Sequence, residues 1–147
     1  MEHVNEIYPK YPSHCSCLNV RRASKAITQY YDRILSPSGL TTAQLSLLRN
    51  IKKAQMPTIG ELAVIMRIDR TTINRNMKPM LAAEFISTKQ GKDSRMKIVT
   101  LTKSGNEVLA EGCTLWQEAQ KSIREYLGEE DLAKLVELLS KLEVLAP

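Results

Sequence analysis

The chain has 147 residues, 43% of them hydrophobic and 25% charged, and a formal net charge of +5. That length fits one domain able to bury a core, and no run of about eighteen apolar residues marks a transmembrane span. The opening "MEHVNEIYPKYPSHCSC" lacks the apolar segment of a secretory signal, so a cytoplasmic protein without membrane contact is expected.

Residues 1–14, with Pro9 and Pro12 and no periodicity, read as an arm. From Cys15 to Leu35, Val20, Ala23, Ile27, Tyr30, Tyr31 and Ile34 recur at three- and four-residue steps, the pattern of an amphipathic helix. "SPSG" (36–39) breaks it. Thr41 or Thr42 can cap a second helix, with Leu45, Leu48 and Ile51 inward, which ends near Gln55 before Pro57. Thr58 opens a short third helix to Met66, with Glu61 placed for a capping box. Asp69 then caps a fourth helix that should run to Glu84, with a kink near residues 75–79 where Pro79 removes an N–H.

After it the period changes. "FISTK" and "KIVTL" are β-prone arms around the polar tip "QGKDSR", a hairpin spanning 85–102. Thr102 caps a long helix to Leu127 with Val108, Leu115, Trp116, Ala119, Ile123 and Tyr126 as its apolar stripe. "GEED" (128–131) interrupts, and a last helix runs to Val144 with leucines on more than one side. The fold expected is mainly α with a small β-hairpin wing. Three short helices followed by a basic hairpin is the order of a winged helix-turn-helix, in which 58–66 crosses the DNA backbone and 69–84 reads the major groove.

Charge supports that order. Residues 67–103 carry nine basic side chains against three acidic, whereas 104–147 carry four basic against nine acidic. Such a basic middle suits a polyanion. Within the fourth helix Ile73, Met77, Met80 and Leu81 face one way, while Arg70, Thr71, Asn74, Arg75 and Lys78 fall mainly on the other. Arginine suits guanine, asparagine suits adenine, and threonine suits phosphate or the thymine methyl. Thr71 and Thr72 also lie in the first turn, where exposed N–H groups attract phosphate. A solvated helix face usually mixes Glu with Lys, yet no acidic residue occurs from Arg70 to Ala83.

"KDSRMKIVTLTKSG" (92–105), with Asp93, Arg95, Leu101, Thr102 and Gly105 in place, resembles the wing signature of the MarR family. "GLTTAQLSLLRNI" and "TIGELAVIMRIDRTTINRNMKPMLAAEFI" are similar to that family's second to fourth helices, and the likeness covers roughly residues 15–145. It implies a single MarR-like domain over 1–147: dimerisation helices at 1–35 and 104–147, and a winged-helix part at 40–102. It further implies a homodimeric regulator, mainly repressing, on a pseudo-palindromic operator in double-stranded DNA. By the same resemblance Arg95 reaches the minor groove and Asp93 helps hold the wing tip, with Lys92 beside them.

Two routes of release follow from that resemblance. A small aromatic effector would sit in a cleft lined by Tyr30, Tyr31 and Arg49, the arginine pairing a carboxylate; for the tyrosines, core or dimer packing is the alternative. Oxidation at Cys15 or Cys17 is the other route, since a thiolate is favoured at a helix start near Arg21 and Arg22; structural thiols in a reducing cytosol are its alternative. Cys113, within an apolar helix, reads as core. His14, Cys15 and Cys17 have poor spacing for zinc and lack a second cysteine pair, so no metal and no cofactor are expected. His3 and His14 make no arrangement with an acid and a nucleophile, so an enzyme is not expected. The competing class is a winged helix used as a protein-interaction module without specific DNA binding.

Overall fold

Local capping chemistry sets most element boundaries. In the computed structural model, which describes residues 12–93 and 95–147, the helices are α1 (Ser16–Leu35), α2 (Thr42–Ala54), α3 (Ile59–Met66), α4 (Arg70–Ala82), α5 (Lys103–Leu127) and α6 (Glu129–Glu143). Strands β1 (Ile86–Gln90) and β2 (Lys97–Leu101) stand between α4 and α5. Thr41 and Thr58 form full capping boxes with Gln44 and Glu61, and Thr102 accepts from the Gly105 N–H at 3.0 Å. Thr42 is therefore not the cap of α2. Its N–H and hydroxyl both donate to Asp32 Oδ1, at 2.7 and 2.6 Å, tying α1 to the start of α2. The arm expected at residues 1–14 falls mostly outside the described residues. No helix among those described is long and apolar enough to cross a membrane.

Between α1 and α2 a 3-10 turn (Ser36–Ser38) ends at Gly39, whose φ of 76° a side chain would oppose. The core lies where α2, α4 and the hairpin meet α5: Leu35, Leu45, Leu47, Leu48, Ile51, Leu62, Ile73 and Val99 are almost wholly buried. Burying each such side chain contributes roughly 1.5–3 kcal/mol. Gly112 admits the α2 side of that core onto α5, because a Cβ there would meet Leu45 Cδ1 at 2.8 Å.

The hairpin is antiparallel with Ile86 opposite Leu101 and Gln90 opposite Lys97. It is joined to the chain ahead of α3 by a bridge from Ile98 to Thr58 and by the Val99 N–H donating to the Pro57 carbonyl at 2.9 Å. At its base, α5 packs so closely on the chain entering β1 that a Cβ at Gly105 would stand 1.9 Å from the Phe85 carbonyl oxygen.

Several expectations need correcting. α4 ends at Ala82, short of Glu84, because Glu84 adopts a φ of 59° and turns the chain into the wing. The Phe85 and Glu84 N–H groups then return to the carbonyls of Met80 and Leu81, each at 3.0 Å, closing a Schellman motif without glycine. Leu81 is 38% exposed rather than part of the core face, since it lies about 80° round the helix from Ile73. It lines a shallow cleft with Glu84, Ile86 and Thr102. α4 runs on as one helix through Pro79. Phe85 precedes β1 instead of opening it and packs half-buried against the core. In α1, Val20 and Ile27 are exposed, and in α5 Tyr126 is 58% exposed. The last helix, by contrast, is as uncovered as leucines on more than one side imply: α6 buries no residue, and Leu138, Leu139 and Leu142 are open to solvent.

Candidate nucleic-acid interface

α4 exists as a polar-faced helix because its start is chemically fixed and its inner side is apolar. Asp69 caps it, accepting from the Thr72 N–H at 2.7 Å and the Thr72 hydroxyl at 3.0 Å. Those two bonds, with a smaller contribution from Arg75, hold the Asp69 carboxyl below its ordinary pKa. Ile73, Met77 and Met80 bury the opposite side. The one carboxylate at the head of α4 is thus turned onto the backbone.

The outward side chains are exposed as a group: Thr71, Asn74, Arg75 and Lys78, with Arg70 at their edge. Thr72 differs, because it is half-buried and its hydroxyl is committed to Asp69. At the wing, Lys92, Asp93 and Arg95 are exposed at the tip. Asp93 Oδ1 accepts from the Arg95 N–H at 3.1 Å, the Asp93 carbonyl accepts from Met96, and Gly91 closes the loop on the Met96 carbonyl at 2.7 Å. An acid-free helix face and a basic loop, both carried on one core, can follow a duplex: groove edges against α4, backbone against the wing.

This frame has known relatives. The sequence is 30% identical over 109 residues to the HTH-type transcriptional regulator BilQ of Clostridium symbiosum, matching 74% of this chain and 76% of that protein. The M. tuberculosis transcriptional regulator MosR, solved in complex with DNA, is 32% identical and superposes with a TM-score of 0.78 over 91% of this chain and 100% of its own. This chain belongs to the MarR family of winged helix-turn-helix regulators. At 22% identity, a mutant of E. coli MarR solved with operator DNA shares the fold, with a TM-score of 0.76 over 84% of this chain and 89% of its own. No family model matches the sequence.

The remaining site residues of this MarR-family chain stand apart from α4. Tyr31 is buried and its hydroxyl bonds to Gln120 on α5; burial, then the neighbouring Tyr30, raises its pKa. Tyr30 is half-buried, edge-on to Tyr31, with Arg33 5.9 Å from its ring centre. Arg49 does not join the tyrosines: its guanidinium lies 4.1 Å over the Trp116 ring and donates to Cys113 Sγ at 3.6 Å. Cys15 and Cys17 are exposed at the head of α1, whereas Cys113 is half-buried against the core.

Two residues that the sequence did not mark belong in the description of this surface. Arg67, which ends α3 with a φ of 54°, is ion-paired with Glu143 at the end of α6. Gly60, in the first turn of α3, lies under the Arg70 side chain. Neither carries a sequence signal, because both depend on how α3 meets a distant element.

Proposed function

We propose that this chain is a sequence-specific DNA-binding regulator that acts as a homodimer on a pseudo-palindromic operator in the cytoplasm, in the main as a repressor. One observation carries the reading: α4 presents Thr71, Asn74, Arg75 and Lys78 with no carboxylate among them, beside a wing tip carrying Lys92 and Arg95. The DNA complexes of MosR and E. coli MarR, which share this fold, support it. Homodimerisation rests on α6, whose leucines have no cover within one chain.

In this reading Asn74 and Arg75 read base edges, Thr71 and Lys78 hold the groove wall while Thr72 braces the start of α4 through Asp69, and the wing tip with Asp93-supported Arg95 holds the flanking backbone or minor groove. Release occurs through a small aromatic acid near Tyr30, Tyr31 and Arg49, or through oxidation of Cys15 or Cys17, which solvent reaches freely. An aromatic acid would need Arg49 to leave the Trp116 face to pair its carboxylate.

Gel shift on the gene's own upstream region, with and without peroxide and simple aromatic acids, tests both parts. A shifted inverted repeat that is released by one of the two agents is expected. Absence of any shift there sinks the local-repressor reading, and release by neither agent removes both proposed triggers. The rival, a protein-interaction module, predicts no steep fall of DNA affinity with salt; a phosphate-contacting regulator predicts one.

A further inference from the structure

Arg70 is the first residue of α4, and its place on the helix differs from that of its polar neighbours. With about 100° per residue it lies roughly 60° from the buried Ile73, while Asn74, Lys78, Thr71 and Arg75 lie roughly 100–160° away. Arg70 therefore stands at the margin of the packed face. There its side chain lies across α3 at Gly60: a Cβ built on Gly60 would be 2.7 Å from Arg70 Nη2, 3.5 Å from Cζ and 3.8 Å from Nε. Nη2 stands where a Cβ at position 60 would press on it, while Cζ and Nε lie at ordinary contact distance from that point.

We propose that Gly60 is a positioning residue for DNA binding: lacking a side chain, it lets the Arg70 guanidinium lie against α3, on the side of the sugar–phosphate backbone and away from the base edges. The proposal rests on the DNA-binding reading above and sharpens it. In a helix-turn-helix the first of the two helices crosses the backbone and the second enters the groove. A guanidinium held against α3 meets phosphate oxygens, for which its planar fork is suited. Holding it there before DNA arrives also reduces the rotamer freedom lost on binding. Arg70 is then a clamp, and base discrimination falls to Asn74 and Arg75.

The variants are Gly60→Ala, Arg70→Ala and the double substitution. A methyl at 60 meets only the far end of a flexible side chain, and alanine favours a helix over glycine. Gly60→Ala is therefore expected to melt at or above the wild-type temperature, which separates a folding fault from a binding effect. Anisotropy titrations use two duplexes across a salt series: the inverted repeat from the upstream region, and a scrambled duplex of the same composition.

Arg70→Ala should weaken both duplexes by the same factor, about tenfold, and reduce the salt slope by about one. Gly60→Ala should weaken both several-fold in the wild-type background and have no effect once Arg70 is alanine. Loss of preference for the repeat in Arg70→Ala overturns the proposal, as does a Gly60→Ala effect that is absent or persists without Arg70. Wild-type protein that binds neither duplex removes the DNA reading and the proposal together. Wild-type protein that binds while Gly60→Ala matches it removes the proposal alone.

Discussion

Single residues divide the α4 surface into jobs. Arg75 stands almost opposite the Ile73–Met77 face of α4, whereas Arg95 rides on the wing tip. Arg75→Ala should cost about 1–3 kcal/mol of discrimination between the repeat and scrambled duplex. Arg95→Ala should weaken both by similar factors. The reverse pattern in competitive gel shifts would mean that the reader and the clamp are exchanged. Asp69 gives a pH handle: its folded pKa is lowered by the Thr72 bonds, so its stabilisation exists above the unfolded carboxylate range and fades as pH falls through the folded value. Asp69→Ala should melt below wild type at neutral pH, with the two melting temperatures converging in acid. The outward set on α4 was readable from spacing alone, but Arg70's turn towards α3 was not. Sixty degrees on a wheel is ambiguous until the neighbouring helix shows a glycine at the point of contact.

At the scale of elements, caps were the most legible signals. Thr58, Asp69 and Thr102 each occupy the boundary their chemistry predicts, because a capping bond depends on residues only three apart. The ends that the sequence misplaced are those set from a distance. α4 stops at Ala82 because Glu84 must bend into a wing whose position is fixed by α5, through Thr102 Oγ1 donating to the Glu84 carbonyl at 2.6 Å. Gly105 belongs to the same junction. In the sequence it is one position of a family-like motif; in the fold it is the only residue type that lets α5 touch the Phe85 carbonyl. Gly105→Ala has nowhere to place its methyl, since the obstacle is backbone. A loss of about 1–3 kcal/mol in chemical denaturation is expected, and a variant as stable as wild type would mean that the wing base yields easily.

For the whole molecule, the unanswered surface is α6. Leu142 is 45% and Leu145 80% exposed, and no residue of that helix is buried, although the leucine pattern signalled a face needing cover. Leu142→Glu should leave the single-chain fold intact and shift sedimentation towards the monomer. Its DNA affinity should fall by about 10²-fold or more as two half-site contacts become independent. A dimeric Leu142→Glu protein would move the interface elsewhere. The surroundings of the residues that the resemblance assigned to an effector were the least legible part: Gln120 engages Tyr31 and Trp116 engages Arg49, partners 89 and 67 positions along the chain.

The stitch from Val99 to the Pro57 carbonyl, with the Ile98–Thr58 bridge, makes the wing part of the same rigid jaw as α3 and α4. In the dimeric regulator proposed above, release from DNA would then change the spacing between two such units rather than loosen either one. Hydrogen exchange at the Val99 amide should accordingly be as slow in protein released from DNA as in protein bound to it. Fast exchange on release would mean that the wing itself lets go.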